Sequence, residues 1–230
     1  MKTTVQTLLL VSILQMAQSI SAKDSDQIKC PKTNESHMKT ISFFDLKSID
    51  HLGKDIAAFS AMLNIAEVQA VSNGGINLEL SLRYEGTDSI EIHNPLYFVQ
   101  YILAGSDKTQ LFNNTKPPIP LINRQGPIDP NIDFSFNILG IQKNGENQNI
   151  HEQVNVPTLT FNKSDRQSYF LQISKYLNQR TRQPEDIPEG IYQLEVIFSI
   201  INAGKGANGP QSRTLKAQDI SIRLQKESGN

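Results

Sequence analysis

The sequence is poor in several residue types on which particular classes of protein depend. It contains one cysteine, Cys30, and no tryptophan. A single cysteine cannot form a disulfide within the chain, which excludes a disulfide-stabilised scaffold. Aromatic residues make up only 7% of the chain. This leaves few for the exposed aromatic platforms that carbohydrate-binding sandwiches usually present.

Neither sign of charge is in excess. The chain has 22 Lys and Arg residues against 23 Asp and Glu, a formal net charge of -1. The two signs are interspersed, so the sequence has no electrostatic footprint for nucleic acid or for an anionic membrane surface. We therefore exclude nucleic-acid binding. With 38% hydrophobic residues in 230, the chain is long and apolar enough to form one hydrophobic core.

The sequence also lacks the usual motifs of catalysis and metal binding. The histidines His37, His51, His93 and His151 are each isolated, with no second ligand at a metal-binding spacing. The stretch 129–133 has two aspartates, but it lacks the glycine and the terminal glutamate of a calcium loop and reads as a proline turn. No Gly-x-Ser-x-Gly motif or phosphate-binding loop occurs. The sequence pattern also does not identify a pair of carboxylates for glycoside hydrolysis. We predict no catalytic, cofactor-binding or metal-binding residues and no cofactor.

Residues 1–22 have the features of a secretory signal peptide. One lysine precedes an apolar run that is too short to span a bilayer, and the small residues Ser19, Ser21 and Ala22 follow it. Cleavage after Ala22 would begin the mature chain at Lys23. We expect a secreted or periplasmic protein with no transmembrane segment in the mature chain.

Cys30 lies in a polar stretch beyond the predicted cleavage site. Lys29 precedes it, whereas a lipoprotein signal places its cysteine behind the apolar run with a small residue before it. Lipid anchoring is therefore disfavoured. In an oxidising compartment Cys30 is either a free thiol or paired between chains.

The rest of the chain divides into three parts. Residues 23–40 are polar and read as a flexible leader. Residues 41–61 partly fit helical spacing, but Gly53 interrupts it, and we expect a short helix or an irregular packing segment. Residues 62–226 carry strand patterns separated by turn residues, which is typical of an all-β sandwich or barrel.

The clearest strand lies in 187–201. Pro188 and Gly190 form a turn, and behind them Tyr192, Leu194, Val196 and Phe198 alternate with other positions. The strand is long and gains a second apolar face from Ile197, so we expect it in the middle of a sheet with these four side chains in the core. Other predicted strands cover 62–71, 76–84, 89–93, 96–103, 109–112, 134–141, 154–161, 168–176 and 214–224.

Two turn regions stand out between the strands. Asn73-Gly74 separates 62–71 from 76–84, and Asn-Gly is a strong hairpin signal. The stretch 113–133 holds five prolines, which cannot donate to a ladder, so we expect it to cross the sandwich or to form an exposed loop. A second polar loop covers 178–189.

The turn Pro188-x-Gly190-x-Tyr192, which opens the penultimate predicted strand, resembles immunoglobulin-like sandwich domains of secreted bacterial proteins. The preceding strand at 169–174 and the last strand at 220–224 fit the same pattern. The stretch 76–84 followed by 90–95 is similar to the start of the bacterial intracellular proteinase inhibitor family. The resemblance covers roughly 62–224 and implies an immunoglobulin-like antiparallel β-sandwich.

Three glycosylation triplets begin at Asn34, Asn113 and Asn162. They act as acceptors only in a eukaryotic secretory pathway, and the sequence leaves the host class open.

Export, a sandwich pattern and the missing catalytic motifs together favour a non-enzymatic binding or structural module of the cell envelope or extracellular space. We expect its partner, a protein or an envelope component, to contact loops 113–133 and 178–189, because loops on a rigid sheet commonly carry recognition. The alternative is a protease inhibitor or a hydrolase whose site residues are dispersed along the chain.

Overall fold

The computed structural model describes residues 38–46, 54–70, 74–105, 111–113, 126–177, 181, 183–204 and 211–226. Within these ranges most residues lie in antiparallel strands, and the helices are short. The all-β class expected from the sequence is therefore confirmed for the described part of the chain. No helix in these ranges is long and apolar enough to cross a membrane.

The first sheet has six antiparallel strands. Their spatial order is β1 (Met38–Ser42), β3 (Phe59–Ala66), β5 (Ile76–Tyr84), β12 (Arg166–Ile173), β9 (Asn137–Lys143) and β10 (Glu146–Asn147). Strand β5 shows the alternation expected of a half-buried strand, with leucines on one face and mainly polar side chains on the other.

The second sheet also has six strands, one of them off the main path. Its order is β2 (Phe44–Asp45), β16 (Ser212–Gln225), β15 (Gly190–Ile201), β7 (Gln100–Gly105) and β8 (Leu111–Asn113), and β4 (Val68–Ala70) pairs in parallel with β16. Because β15 lies between β16 and β7, its expected central position is confirmed.

Two further strand pairs and three short helices complete the described fold. The pairs are β6 (Ile90–His93) with β11 (Thr158–Phe161), and β13 (Lys175–Leu177) with β14 (Pro184–Asp186). The helices are α1 (Lys54–Ala57), the 3-10 helix η1 (Pro95–Phe98) and α2 (Ile150–Gln153).

One hydrophobic core lies between the two sheets in a sandwich-like arrangement. The four alternating side chains of β15 predicted to be internal are all buried, and so are the facing leucines of β5. Phe198 has no exposed surface, and Phe43 packs edge-on against it with ring centroids 4.9 Å apart. Edge-to-face aromatic pairs add to the stabilisation that burial provides.

The chain between β3 and β5 is not the tight hairpin that Asn73-Gly74 predicts. The two strands do pair, but the pairing ends at Ile65 and Leu78, well before the Asn-Gly position. The predicted strand 62–71 is also wrong as a single unit, because it divides near Glu67 and its second part, β4, joins the other sheet.

The side chain of Gln69 explains this departure. Its Nε2 donates to the carbonyl oxygen of Asn77 at 3.0 Å and its Oε1 accepts from the Asn77 N–H at 2.7 Å. The amide of Gln69 therefore takes the place of a neighbouring strand at the end of β5. Since both backbone groups of Asn77 are satisfied, β4 is free to leave the first sheet.

The expected packing segment 41–61 contains the end of β1, then β2, α1 and the start of β3. Arg213 of β16 joins this segment to the second sheet. Its guanidinium binds Asp45 through Nε at 2.6 Å and Nη2 at 3.0 Å, and its Nη1 donates to the carbonyl oxygens of Ala57 and Phe59. One arginine, only 13% exposed, thus connects β2, α1 and β3.

Candidate functional site

The outer face of the first sheet carries polar side chains in four rows that run across its strands. The rows follow from the pairing register, since paired residues on neighbouring strands lie side by side. They are Ser60–Arg83–Arg166, Met62–Ser81–Ser168–Gln142, Asn64–Glu79–Phe170–Gly140, and Asn77–Gln172–Asn137.

A depression of about 630 Å³ lies at the end of this face formed by the first two rows and the adjoining loops. Its lining is mainly hydrogen-bonding side chains: Ser60, Met62, Ser81, Arg83, Asn144, Gly145, Ser164 and Arg166. This volume is in the range of small-molecule sites.

An ion pair between Arg166 and Glu79 lies beside this depression. Arg166 Nη2 lies 3.2 Å from Glu79 Oε1. Because these residues belong to the first and third rows, their side chains pass over the row between them. This explains why Ser81 and Ser168, which are directly opposite each other, are only 6% and 4% exposed although they are on the outer face.

Two arginines face each other at the edge of the depression. Arg83 and Arg166 are a directly opposed cross-strand pair, and like charges in that position are destabilising. Each has one carboxylate partner, Glu85 at 2.7 Å from Arg83 Nε and Glu79 for Arg166. Neither glutamate lines the depression, so the two guanidinium groups are the charged groups of its lining, and each is paired with a carboxylate beside it.

The rim opposite the strands has unusual backbone geometry. Asn144 and Ser164 have φ angles of 53° and 69°, and the adjacent Gly145 has φ of 86°. Positive φ is uncommon for residues other than glycine and carries a cost in free energy. Two such residues on one rim indicate a local structure that its surroundings hold firmly in place.

Asp165 is the residue that holds this rim. Its carboxylate accepts from the Asn162 N–H at 2.9 Å and from Asn144 Nδ2 at 2.9 Å, and Lys143 Nζ lies 3.8 Å away. Asn144 Oδ1 in turn accepts from the Arg166 N–H at 2.7 Å. The position of Arg166 is therefore tied to Asp165 through Asn144.

The pKa of Asp165 reflects these contacts. Burial of the carboxyl acts to raise its pKa, but the hydrogen bonds from Asn162 and Asn144 and the Lys143 ammonium outweigh burial and leave the pKa below its usual value. Asp165 is thus ionised at neutral pH, and the rim contains a fixed negative charge behind the arginine edge.

Within the third and fourth rows, side-chain hydrogen bonds join neighbouring residues. Glu79 Oε2 accepts from Asn64 Nδ2 at 2.9 Å, and Asn64 Oδ1 accepts from Thr40 Oγ1 at 2.7 Å. In the fourth row, Gln172 donates to Asn77 and accepts from Asn137, both at 3.0 Å. These bonds hold the side chains of the face in defined positions.

The described histidines and the aspartate stretch singled out in the sequence lie away from this depression. His93 is in β6 and His151 in α2, while His37, His51 and Cys30 fall outside the described residues. The stretch 129–133 forms a turn closed by its own aspartates, with the Asp129 N–H bound to Asp133 Oδ2 at 2.7 Å. Among the described residues no group of three or more His, Cys, Asp or Glu side chains is placed to hold a metal ion.

The two loops predicted as a binding surface are described only in part. Residues 113, 126–133, 181 and 183–189 are described, and 184–186 form β14. Tyr176 donates to Glu185 Oε2 across this strand pair at 2.7 Å, and that hydrogen bond, with burial and the glutamate charge, raises the pKa of Tyr176. The remaining residues of both loops, with Asn34 and the side chain of Asn113, lie outside the described part. Asn162 is exposed beside the rim.

The lining offers hydrogen-bonding groups but no side chain that could act as a base. A serine nucleophile needs an adjacent base, and none of the eight lining residues is an acid, a histidine or a lysine. Serine hydroxyls, an amide and two guanidinium groups can instead hold a polar ligand by hydrogen bonds.

The sequence contained only a weak signal for this face. Arg83 and Arg166 stand at polar positions of two alternating strands, but nothing in the sequence states that these strands are neighbours or in which register they pair.

Comparisons of the chain with protein-family models, with curated proteins and with solved structures found no match. Function is therefore inferred from the residues and their geometry.

Proposed function

We propose that this chain is an exported, non-enzymatic binding module that holds its partner on the outer face of the first sheet. The observation that carries the proposal is the depression of about 630 Å³. It combines hydrogen-bonding side chains with a rim of unusual backbone geometry, and its lining offers no base. Backbone strain of this kind clusters at ligand sites.

The partner in this proposal is a protein or another component of the cell envelope or extracellular space. The face suits such a partner because its polar rows are linked by side-chain hydrogen bonds and are therefore preorganised, which reduces the entropy lost on binding. A smaller depression lies beside Phe170 and Leu139 on the same face, and it adds apolar contact area. Loops 113–133 and 178–189 are the second surface in the proposal.

Export is supported by the composition of residues 1–22. The mature protein would be secreted or periplasmic and would begin at Lys23. Intact-mass measurement on protein from the native host tests this directly. A mass that retains residues 1–22 contradicts export by a cleaved signal.

We also propose that the sandwich is immunoglobulin-like. One contact supports this: the hydroxyl of Tyr192, near the start of β15, donates to the carbonyl oxygen of Pro188 four residues upstream at 2.7 Å. Immunoglobulin-like sandwiches use such a tyrosine corner at the start of a core strand. Tyr192→Phe should lower the free energy of unfolding by about 1 kcal/mol through loss of this hydrogen bond. An unchanged stability would count against the corner.

The binding proposal is tested by filling the depression. Ser60 is exposed and lines it, so Ser60→Trp should block a partner without disturbing the core. Ser221→Trp is the matched control, because Ser221 is an exposed serine on β16 of the other sheet. A third variant replaces residues 114–125 by a Gly/Ser linker. Each variant is used to capture partners from the secreted and envelope fractions of the native host, after circular dichroism confirms the fold.

We expect Ser60→Trp to lose a partner that wild type and Ser221→Trp retain. If only the linker variant loses it, the loop carries binding and the sheet face does not. The protein is also assayed for turnover of ester, glycan and peptide substrates and for inhibition of proteases. Turnover or inhibition by the wild-type protein would replace the binding proposal with the hydrolase or inhibitor alternative.

A further inference from the structure

The two opposed arginines at the edge of the depression have hydrogen-bonding capacity that the chain does not use. A guanidinium carries five N–H donors. Arg83 contacts Glu85 through Nε, and Arg166 contacts Glu79 through Nη2. The other donors of these two groups meet no acceptor among the described residues. Both side chains are about half exposed, at 55% and 51%, so a ligand can reach them.

The two arginines are directly opposed, and each is paired with one glutamate. Neighbouring strands place their side chains in direct contact distance, and like charges there repel. Glu79 and Glu85 lie outside the lining, which leaves the space inside the depression without an acidic lining residue. An anion in that space would relieve the repulsion and would bind planar guanidinium groups in the geometry they prefer.

We infer that the depression binds an oxyanion, a carboxylate, sulfate or phosphate group carried by the partner, between Arg83 and Arg166. The hydroxyls of Ser60, Ser81 and Ser164 supply further donors around it. This inference rests on the proposed function, since it names the chemical group that the binding face recognises. It also fits the Asp165 network, because the chain of contacts through Asn144 fixes the backbone of Arg166 before any ligand arrives.

The test uses the full chain and simple anions as probes. Sodium sulfate, sodium phosphate and sodium succinate are titrated separately into the protein against sodium chloride at matched ionic strength. Binding is followed by two-dimensional NMR of backbone amides and of arginine Nε groups. The shared oxyanion chemistry predicts saturable shifts at positions 81–83 and 164–166 with at least one probe. The probe that binds most tightly distinguishes a sulfate or phosphate ligand from a carboxylate.

Three variants test whether the anion binds at the two arginines. Arg83→Gln and Arg166→Gln each remove one guanidinium, and each should weaken the probe's Kd about tenfold or more, as expected for loss of hydrogen bonds to a charged group. Arg83→Lys keeps the charge but loses the planar fork, and its Kd should fall between those of wild type and Arg83→Gln. Arg223→Gln is the matched control, because Arg223 is an exposed arginine of β16 outside the depression.

The inference is overturned if no probe gives saturable shifts, or if Arg223→Gln weakens binding as much as Arg83→Gln, since that result would indicate general charge screening. Partner capture sensitive to Ser60→Trp would then still stand, and the binding function would be kept without the oxyanion. If Ser60→Trp changes no partner while sulfate binds between the arginines, the oxyanion site is kept and the proposal that this face binds the partner is contradicted. The two proposals therefore fail separately.

Discussion

Replacing Arg213 should be among the most damaging changes available outside the hydrophobic core. Its side chain is only 13% exposed and that of Asp45 only 22%. In Arg213→Leu, Asp45 loses two charge-assisted hydrogen bonds, and the carbonyl oxygens of Ala57 and Phe59 lose their donor. Leucine returns some hydrophobic contact but none of these hydrogen bonds.

The magnitude follows from the number of groups left without partners. Removing one partner of a buried ion pair costs about 3 to 5 kcal/mol, because the other charge stays buried. Asp45 retains some contact with water, which lowers that figure, and the Phe59 carbonyl, which is partly buried, adds about 1 kcal/mol when it loses its donor. We therefore expect Arg213→Leu to lower the free energy of unfolding by about 3 to 4 kcal/mol.

Urea unfolding followed by circular dichroism measures this change. Arg223→Leu, in the same strand but exposed, should stay within about 0.5 kcal/mol of wild type. Asp45→Asn combined with Arg213→Leu should cost less than the sum of the single changes, because the two residues share one interaction. A loss below about 0.5 kcal/mol in Arg213→Leu would refute the argument that this arginine joins the two sheets.

Four further substitutions test other parts of the fold. Phe198→Ala should cost about 3 to 5 kcal/mol in urea unfolding, as truncation of a fully buried aromatic usually does, and a loss well under 1 kcal/mol would mean that β15 is not central. Tyr169→Phe should be neutral or stabilising in thermal melts, because the buried Tyr169 hydroxyl has no hydrogen-bond partner among the described residues. Tyr97→Phe should cost about 1 kcal/mol, since it loses a hydrogen bond to a buried carbonyl. Equal effects of the two substitutions would contradict this assignment. The lowered pKa of Asp165 means that its stabilisation is present above the unfolded pKa of about 4 and is lost as pH falls through the lower, folded value. Asp165→Asn should flatten the acid limb of stability against pH, and an unchanged limb would argue against a paired carboxylate.

Local alternation predicted the parts of the fold that depend on one strand at a time. Tyr192 to Phe198 and Ile76 to Tyr84 alternate so regularly that only one face of each can enter the core. That information lies within the strand itself. The central position of β15 also followed, because Ile197 and its neighbours give the strand apolar side chains on both faces.

The remaining features depend on which strands meet, and sequence patterns do not state this. Asn73-Gly74 predicted a hairpin, but the Gln69 amide satisfied the end of β5 and released β4 to the other sheet. The candidate site was missed for the same reason. Arg83 and Arg166 become neighbours only through the register of β5 and β12, so a pair of residues 83 positions apart in the chain formed the edge of a depression that neither strand shows alone.

The position of β16 sets the order in which the molecule can be completed during synthesis. This strand is the last one described in the chain, yet it lies inside the second sheet, bonded to β15 on one side and to β2 and β4 on the other. Until Ser212–Gln225 has left the ribosome, one edge of β15 is unpaired and Asp45 lacks its partner Arg213. A nascent chain therefore cannot complete the second sheet until Ser212–Gln225 has left the ribosome, however early the other strands of that sheet are made.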